Sequence, residues 1–397
     1  MAQTWLVDER KLRMAKRADS LFRPLVPFLR LAFPPHRTAS LAPERILVSE
    51  LWHIGDVVLA MPFLAALREL FPSATITLLS KSHARDTLAN TGLVDDVVSF
   101  DFPWTFLDED RRPRLKELVQ LPAVIRRLRR AKFDLAFDCS RDGRNHLLLF
   151  LSGAARRIGF GFGGADYLLT DAVPVGSLDR HRTDDWMRLL EPLEMKLPST
   201  EPRLVVSDAE RRWAEDFLRR TGRGEGERLV AVHPGGSSRL KKWSLEHFKA
   251  LATLAAESGA RVLWLVDPAG TGAEAKLPTG SIVARPSLRE LIALLSQCDL
   301  LVSNDGGPMH LAAALGIPTF AVYSWGNPEW WKPYAGAGHT WVQREDITCR
   351  PCAGHCIFDE PICLTGLSLD VVAKSFRETL TPARDTRPAL QPLSFPR

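Results

Sequence analysis

The sequence predicts an α/β protein made of two parallel sheets, each covered by helices. Three observations carry this. Short apolar strands alternate with segments of helical period in both halves of the chain. Each half contains a strand–loop–helix turn rich in Gly and Asp. A Pro-flanked stretch, Leu197-Pro-Ser-Thr-Glu-Pro202, separates the halves and reads as a linker.

Strands are expected in the first half at 45–50, 74–80, 96–100 and 133–138, and helices at about 56–71, 114–131 and 142–152. The second half restarts with Leu229–His233. A helix near 244–258, a strand at Arg261–Val266, a helix at 287–297, a strand at Leu300–Ser303, a helix at 308–315 and a strand at Thr319–Tyr323 follow. Such alternation implies right-handed crossovers and parallel strands. The domains run 45–196 and 203–365, with a helix at 366–382 and a loose Pro/Arg-rich tail at 383–397.

Composition is that of a globular protein, with 45% hydrophobic and 25% charged residues over 397 positions. Residues 1–45 hold nine Lys/Arg against four Asp/Glu, whereas the remainder balances at 43 each. A neutral body argues against a nucleic-acid-binding face. The leader, residues 1–44, mixes Arg10, Lys11, Arg13, Lys16, Arg17, Arg23 and Arg30 with Leu21, Phe22, Leu25, Val26, Phe28, Leu29, Leu31 and Phe33. It lacks the roughly 20 apolar residues of a spanning helix. Arg23, Pro24, Pro27 and Arg30 also spoil it as a signal-peptide core. It therefore either lies on an anionic membrane surface or forms an extension, loose or docked on its own chain. Both place the chain on the cytoplasmic side, as a peripheral protein of the inner membrane's inner face in the first case.

The most informative stretch is Leu301-Val-Ser-Asn-Asp-Gly-Gly-Pro-Met-His-Leu-Ala-Ala-Ala-Leu315, a strand running through Asn304–Pro308 into a helix. Glycines admit close backbone approach, Pro308 suits a first turn, and a helix N-terminus favours phosphate. The upstream counterpart is Arg45–Leu67, where a strand is followed by Trp52, His53 and Gly55, and a helix begins near Asp56. Asp56 reads either as a helix cap or as a chemical group at the carboxyl end of a strand.

Three blocks resemble glycosyltransferase family 9, the lipopolysaccharide heptosyltransferase family. They are Ile54-Gly55-Asp56-Val57 with Pro62, His233-Pro-Gly-Gly236 with Lys241-x-Trp243, and Ser303–Ala312; a weaker fourth is Cys349-x-x-Cys352-x-x-x-Cys356. The similarity covers roughly 45–380. It implies a GT-B fold, in which two Rossmann-like domains face a central cleft and the last helix commonly returns to the first domain. The activity it implies is metal-independent inverting transfer of a sugar, heptose from ADP-heptose, to a lipopolysaccharide core or related lipid-linked glycan. The partners are a nucleotide-sugar donor and a lipid-linked oligosaccharide acceptor. Asp56 matches the family's base, and a helix N-terminus keeps it ionised. Lys241 matches the diphosphate-binding lysine.

Asp305 matches the residue for sugar hydroxyls, and Gly306 and Gly307 the amides for phosphate; Met309 lies in the same block. His310 is either a ligand or a structural histidine. Gly235, Gly236, Ser237 and Ser238 form a small-residue loop suited to phosphate. Ser287 and Leu288 lie where the family places the nucleobase, with Glu290 at capping-box spacing. The family's donor-site glutamate has two candidates here, Asp267 and Glu274. The aromatic run Trp325–Trp331 either stacks on a sugar or packs the domain junction.

Two literal motif matches are declined. Gly159-Phe-Gly-Phe-Gly-Gly164 has no helix after it and reads as a flexible loop, and Asp108-Glu-Asp110 lies in an acidic, Pro-flanked loop. Cys349, Cys352, Cys356 and Cys363 form either a structural zinc or other metal site, reduced thiols or a disulfide, while Cys139 and Cys298 are expected to be buried. No metal or other cofactor is expected in catalysis. The other functions compatible with the residues are the same fold using another nucleotide-sugar for O-antigen or other surface glycan, a nucleotide-sugar epimerase, and a non-catalytic binder.

Overall fold

The strands line up as expected for parallel crossovers. A computed structural model describes residues 19–35, 42–102, 104–105, 115–161, 164–176, 180–198, 201–272, 276–334, 336, 338–349 and 356–380. The chain divides into two compact units between Glu201 and Pro202, within reach of the Pro-containing linker.

The first unit holds helix α1 (Val26–Ala32), β1 (Arg45–Ser49), α2 (Ile54–Leu59), α3 (Met61–Leu70), β2 (Thr75–Ser80), α4 (His83–Thr87), β3 (Asp96–Ser99), α5 (Leu115–Ala131), β4 (Leu135–Asp138), α6 (Gly143–Ser152), β5 (Arg156–Phe160), β6 (Asp171–Val173) and α7 (Arg182–Met187). Its sheet order is β3-β2-β1-β4-β5-β6, with every pairing parallel. The strands are buried almost throughout, and Leu47, Leu79, Val98, Phe133, Ala136 and Leu149 form one core. Burial on both faces is why these strands read as continuous apolar runs.

The second unit holds α8 (Asp208–Arg220), β7 (Leu229–His233), α9 (Leu245–Glu257), β8 (Arg261–Leu265), β9 (Ile282–Ala284), α10 (Leu288–Leu295), β10 (Leu300–Asn304), α11 (Gly307–Ala314), β11 (Thr319–Tyr323), α12 (Pro328–Trp331), β12 (His339–Gln343), α13 (Ile362–Thr365) and α14 (Leu369–Leu380). The order β9-β8-β7-β10-β11-β12, again all parallel, repeats the first sheet's topology. Two six-stranded parallel sheets flanked by helices are the Rossmann-like pair of a GT-B protein.

Several expectations are corrected. The helix foreseen at 56–71 is two helices that break at Ala60, because Pro62 occupies the first turn of α3 and cannot continue the preceding ladder. Gly159 is not in a flexible loop but in β5, where a Cβ would lie 3.2 Å from Leu169 and 3.3 Å from His146. Glycine is needed there for close packing. The last described helix, α14, packs within the second unit. Val372, Phe376 and Leu380 of α14 are buried in the core of the second unit, with the Phe376 and Phe320 rings 5.2 Å apart and Arg228 bonding the Leu380 carbonyl.

Residues 19–35 of the leader are described. Helical residues 19–22 and a 3-10 turn at Arg23–Leu25 lead into α1, and Val26, Leu29 and Phe33 pack against Phe150, Leu151, Tyr167 and Leu168. One face of this segment thus docks on its own chain. Among the described residues no helix is long and apolar enough to cross a membrane.

Candidate active site

In each sheet the strand order reverses once, between β1 and β4 and between β7 and β10. Crossovers leave in opposite directions there, so the carboxyl ends of those strands open a crevice. All the principal candidates sit at these two places.

In the first unit, Glu50 directly follows β1, and the chain turns through Trp52 and His53 into α2. The helix starts at Ile54, two residues earlier than expected, which puts Asp56 at its third position. Asp56 accepts a hydrogen bond from the His53 backbone N–H (3.0 Å), so its capping role is real. The carboxylate is half-buried. Glu50 is buried, and one oxygen accepts the Trp52 N–H at 3.1 Å. Burial, reinforced by the nearby Asp56 charge, raises its pKa well above the usual carboxylate range.

Across the reversal, β4 ends in Asp138. It accepts from the Ser140 N–H (3.0 Å), the Ser140 hydroxyl (2.9 Å) and Asn145 (3.3 Å). Burial nevertheless lifts Asp138 to about 8 and lowers His146 to about 4. Their facing atoms, Oδ2 and Nε2, lie 3.3 Å apart. At neutral pH the pair thus holds one proton, on Asp138. Beside this group, Arg141 and Arg182 share the buried carboxylate of Asp185 at 2.6 and 3.0 Å. Burial and the neighbouring Arg141 lower Arg182 to about 10, opposed by Asp185 and Asp56, so it remains cationic. Arg141 Nη1 is buried without a hydrogen-bond partner among the described residues.

The second unit assembles the other candidates. Lys241 Nζ donates to Asp305 at 2.9 Å and lies 5.3 Å from the centre of the Trp325 ring. Asp305 is buried and Lys241 half-buried. A Cβ at Gly326 would come within 3.0 Å of Asp305 Oδ2, so that glycine leaves the carboxylate its room. Gly306 has extended backbone and no side chain caps α11; Pro308 has no N–H and the Met309 N–H bonds the Gly306 carbonyl at 3.2 Å, which leaves the Gly306 and Gly307 amides for an anion. Gly307 opens the helix. His310 and Met309 are buried one turn on, Met309 packing against Ala321 and accepting from the Tyr323 hydroxyl at 3.5 Å. The Met309 side chain is a core element.

Asn304 ties the site together. Its amide donates to the carbonyls of Pro234 (2.8 Å) and Gly235 (3.0 Å), and its oxygen accepts from the Trp243 N–H (3.0 Å). One buried side chain thus holds the loop after β7 and the Lys241–Trp243 segment against the turn after β10. Gly235 is pinned as well, since a Cβ would collide with Asp267 Oδ2 and meet His233 at 2.7 Å. Gly236 faces Lys242 and the Lys241 carbonyl, Ser237 is exposed and Ser238 half-buried. Asp267 lies next to this loop, bonded to the Thr271 N–H and held below the usual carboxylate range by Thr271 and Lys242 against some burial. Burial lowers His233 to about 4, leaving it neutral. Glu274, the other donor-site candidate, lies outside the described residues. Ser287 closes the foreseen capping box with Glu290 and leads into Leu288 at the start of α10.

The cysteines divide. Cys139 and Cys298 are buried as expected. Cys363 belongs to the apolar core of the second unit, Cys349 and Cys356 are half-buried, and Cys352 is outside the described residues, as is Asp108-Glu-Asp110. Among the described residues no three His, Cys, Asp or Glu side chains gather as a metal ion would require.

Two predictions follow from this geometry. Asn304→Asp exchanges a donor for an acceptor facing two carbonyls, and a denaturant titration should show a loss of about 1–3 kcal/mol. Unchanged stability would mean that the strut is dispensable. For Asp138, the raised pKa means that its stabilising contribution is full below about pH 4 and disappears as pH rises towards 8. Asn cannot ionise. The Tm of Asp138→Asn relative to wild type should therefore increase between pH 5 and pH 8 by at least about 2 °C, the scale of one kcal/mol in a unit of this size. A flat difference would contradict the buried neutral acid.

The chain is similar to known proteins in sequence and fold. Residues 122–359 match the model of "Glycosyltransferase family 9 (heptosyltransferase)". The lipopolysaccharide core heptosyltransferase OpsX of Haemophilus influenzae is 24% identical over 308 residues, 74% of this chain and 82% of its own. Among solved structures, a glycosyl transferase family 9 protein of Veillonella parvula superposes with a TM-score of 0.73 at 23% identity, covering 87% of this chain and 99% of its own. The ADP-heptose lipopolysaccharide heptosyltransferase II of E. coli gives 0.65 at 18% identity, covering 85% and 98%. With the family model spanning more than half its length, the chain belongs to glycosyltransferase family 9.

Proposed function

We propose that this protein is an inverting heptosyltransferase that moves heptose from ADP-heptose onto a lipopolysaccharide core or related lipid-linked glycan. The observation that carries the reading is the Lys241–Asp305 pair at the uncapped start of α11, opposite the glycine loop after β7. Anion-binding amides, a held cation and an acid for hydroxyl groups are what a sugar diphosphate asks of a protein.

The chemistry follows from the side chains. Lys241 has three donor hydrogens and gives one to Asp305, so two remain for diphosphate oxygens. The second oxygen of Asp305 can accept from a sugar hydroxyl. Asp56 removes the proton of the acceptor hydroxyl as that oxygen attacks the anomeric carbon from the face opposite the diphosphate. The new glycosidic bond forms while the bond to the diphosphate oxygen breaks, and the charge released falls to Lys241 and the Gly306–Gly307 amides. Asp267, which lies against Gly235 in the glycine loop, serves as the donor-site carboxylate. Arg141 and Arg182 suit an acidic or phosphorylated acceptor. None of these steps uses a metal ion.

Purified protein should be offered ADP-, UDP-, GDP- and dTDP-sugars, with nucleotide release followed in the presence of lipid A–core acceptors. The expected result is acceptor-dependent release from ADP-heptose alone. Asp56→Asn should lower kcat by roughly 10²–10⁴ with little change in donor KM. Release from a different nucleotide would replace the donor assignment, and an Asp56→Asn enzyme of normal kcat would remove the base.

A further inference from the structure

A helix on the surface of a water-soluble domain normally buries one face and turns polar residues outward. The N-terminal helix of this chain does not. Val26, Leu29 and Phe33 face inward onto Phe150, Tyr167 and Leu168. On the other side, Leu21, Leu25, Phe28 and Leu31 recur at helical spacing, and their exposure runs from 48% at Leu25 to 81% at Leu31. Phe22 adds a further exposed ring at 55%. The helix is thus apolar on two faces, and among the described residues only one is covered.

The setting supplies charge. The Arg129 guanidinium lies 5.4 Å from the centre of the Phe33 ring and donates to the Pro34 carbonyl, which joins the end of the helix to the basic end of α5. There Arg126, Arg130 and Lys132 are exposed, and Arg23 is exposed on the helix itself. The preceding sequence adds Arg10, Lys11, Arg13, Lys16 and Arg17. At its other end, Asp19 accepts the Ala165 N–H at 2.9 Å. Ala165 lies in the segment leaving β5 at the strand edge that carries Asp56 and Asp138. The helix is therefore fixed to the unit and starts near its reactive edge.

We propose that this outer face, Leu21, Leu25, Phe28 and Leu31, docks the protein on an anionic lipid bilayer, with Arg126, Arg130 and Lys132 meeting the headgroups. Apolar side chains bounded by basic ones match the boundary between acyl chains and acidic headgroups. A second copy of the chain is a poorer occupant, because a two-fold contact over this face would set the same basic rim against itself. Because binding is read without turnover, the inference stands or falls apart from the sugar-transfer assignment.

The full chain should be sedimented with phosphatidylcholine vesicles, with and without phosphatidylglycerol, beside a Leu25→Asp/Phe28→Asp/Leu31→Asp variant. These side chains are exposed, so thermal unfolding of the variant should match wild type. Wild type should partition onto phosphatidylglycerol vesicles, and the variant should do so roughly tenfold less. Arg126→Glu/Arg130→Glu should lose mainly the increment due to the acidic lipid. Wild type that stays in the supernatant, or a triple variant that binds equally, would overturn the proposal. So would self-association of wild type, seen by sedimentation velocity and lost in the variant, without vesicle binding.

Discussion

Both units depend on a single topological constraint. In an all-parallel sheet whose order reverses once, the crossovers on either side of the reversal leave in opposite directions, and the strand ends there are not covered. Here the reversals fall between β1 and β4 and between β7 and β10. Glu50, Asp56 and Asp138 gather at the first, and Gly235, Asn304 and Asp305 at the second. The protein places its reactive groups twice by the same rule, then gives each place different chemistry.

The chemistry differs in charge. At the first reversal, burial raises Glu50 well above the usual carboxylate range, lifts Asp138 to about 8 and lowers His146 to about 4. Arginines 141 and 182 add positive potential from the side. At the second, the charges are kept and paired, with Lys241 on Asp305. The pair is held by Asn304, whose three bonds reach back across about 60 to 70 residues of sequence.

Much of this was legible in the sequence. The alternation of strands and helices, the turn at Asn304–Pro308, the Ser287–Glu290 capping box and the buried Cys139 and Cys298 all follow from local pattern. What escaped was short or long-range. β5 contains two arginines and a glycine, β6 and β9 have three residues each, and β12 mixes His, Thr and Gln with its apolar positions, so none shows a clean run. Glu50 and Asp138 look like ordinary surface acids, because ionisable residues are rarely buried and only the fold shows that these are. Asn304 stood in a recognisable block, but its bonds to Pro234, Gly235 and Trp243 are invisible in one dimension. The packing of α14 was not legible in one dimension either, and its apolar stripe at Val372, Phe376 and Leu380 lies in the core of the second unit.

The central claim is a division of labour, with donor binding in the second unit and proton removal in the first. Calorimetric titration of ADP into wild type, Lys241→Ala and Asp56→Asn tests it directly. The account predicts a Kd raised roughly tenfold or more in Lys241→Ala, about 1.4 kcal/mol, and one that stays within about a factor of two in Asp56→Asn. Equal weakening by both substitutions, or none by Lys241→Ala, would contradict it.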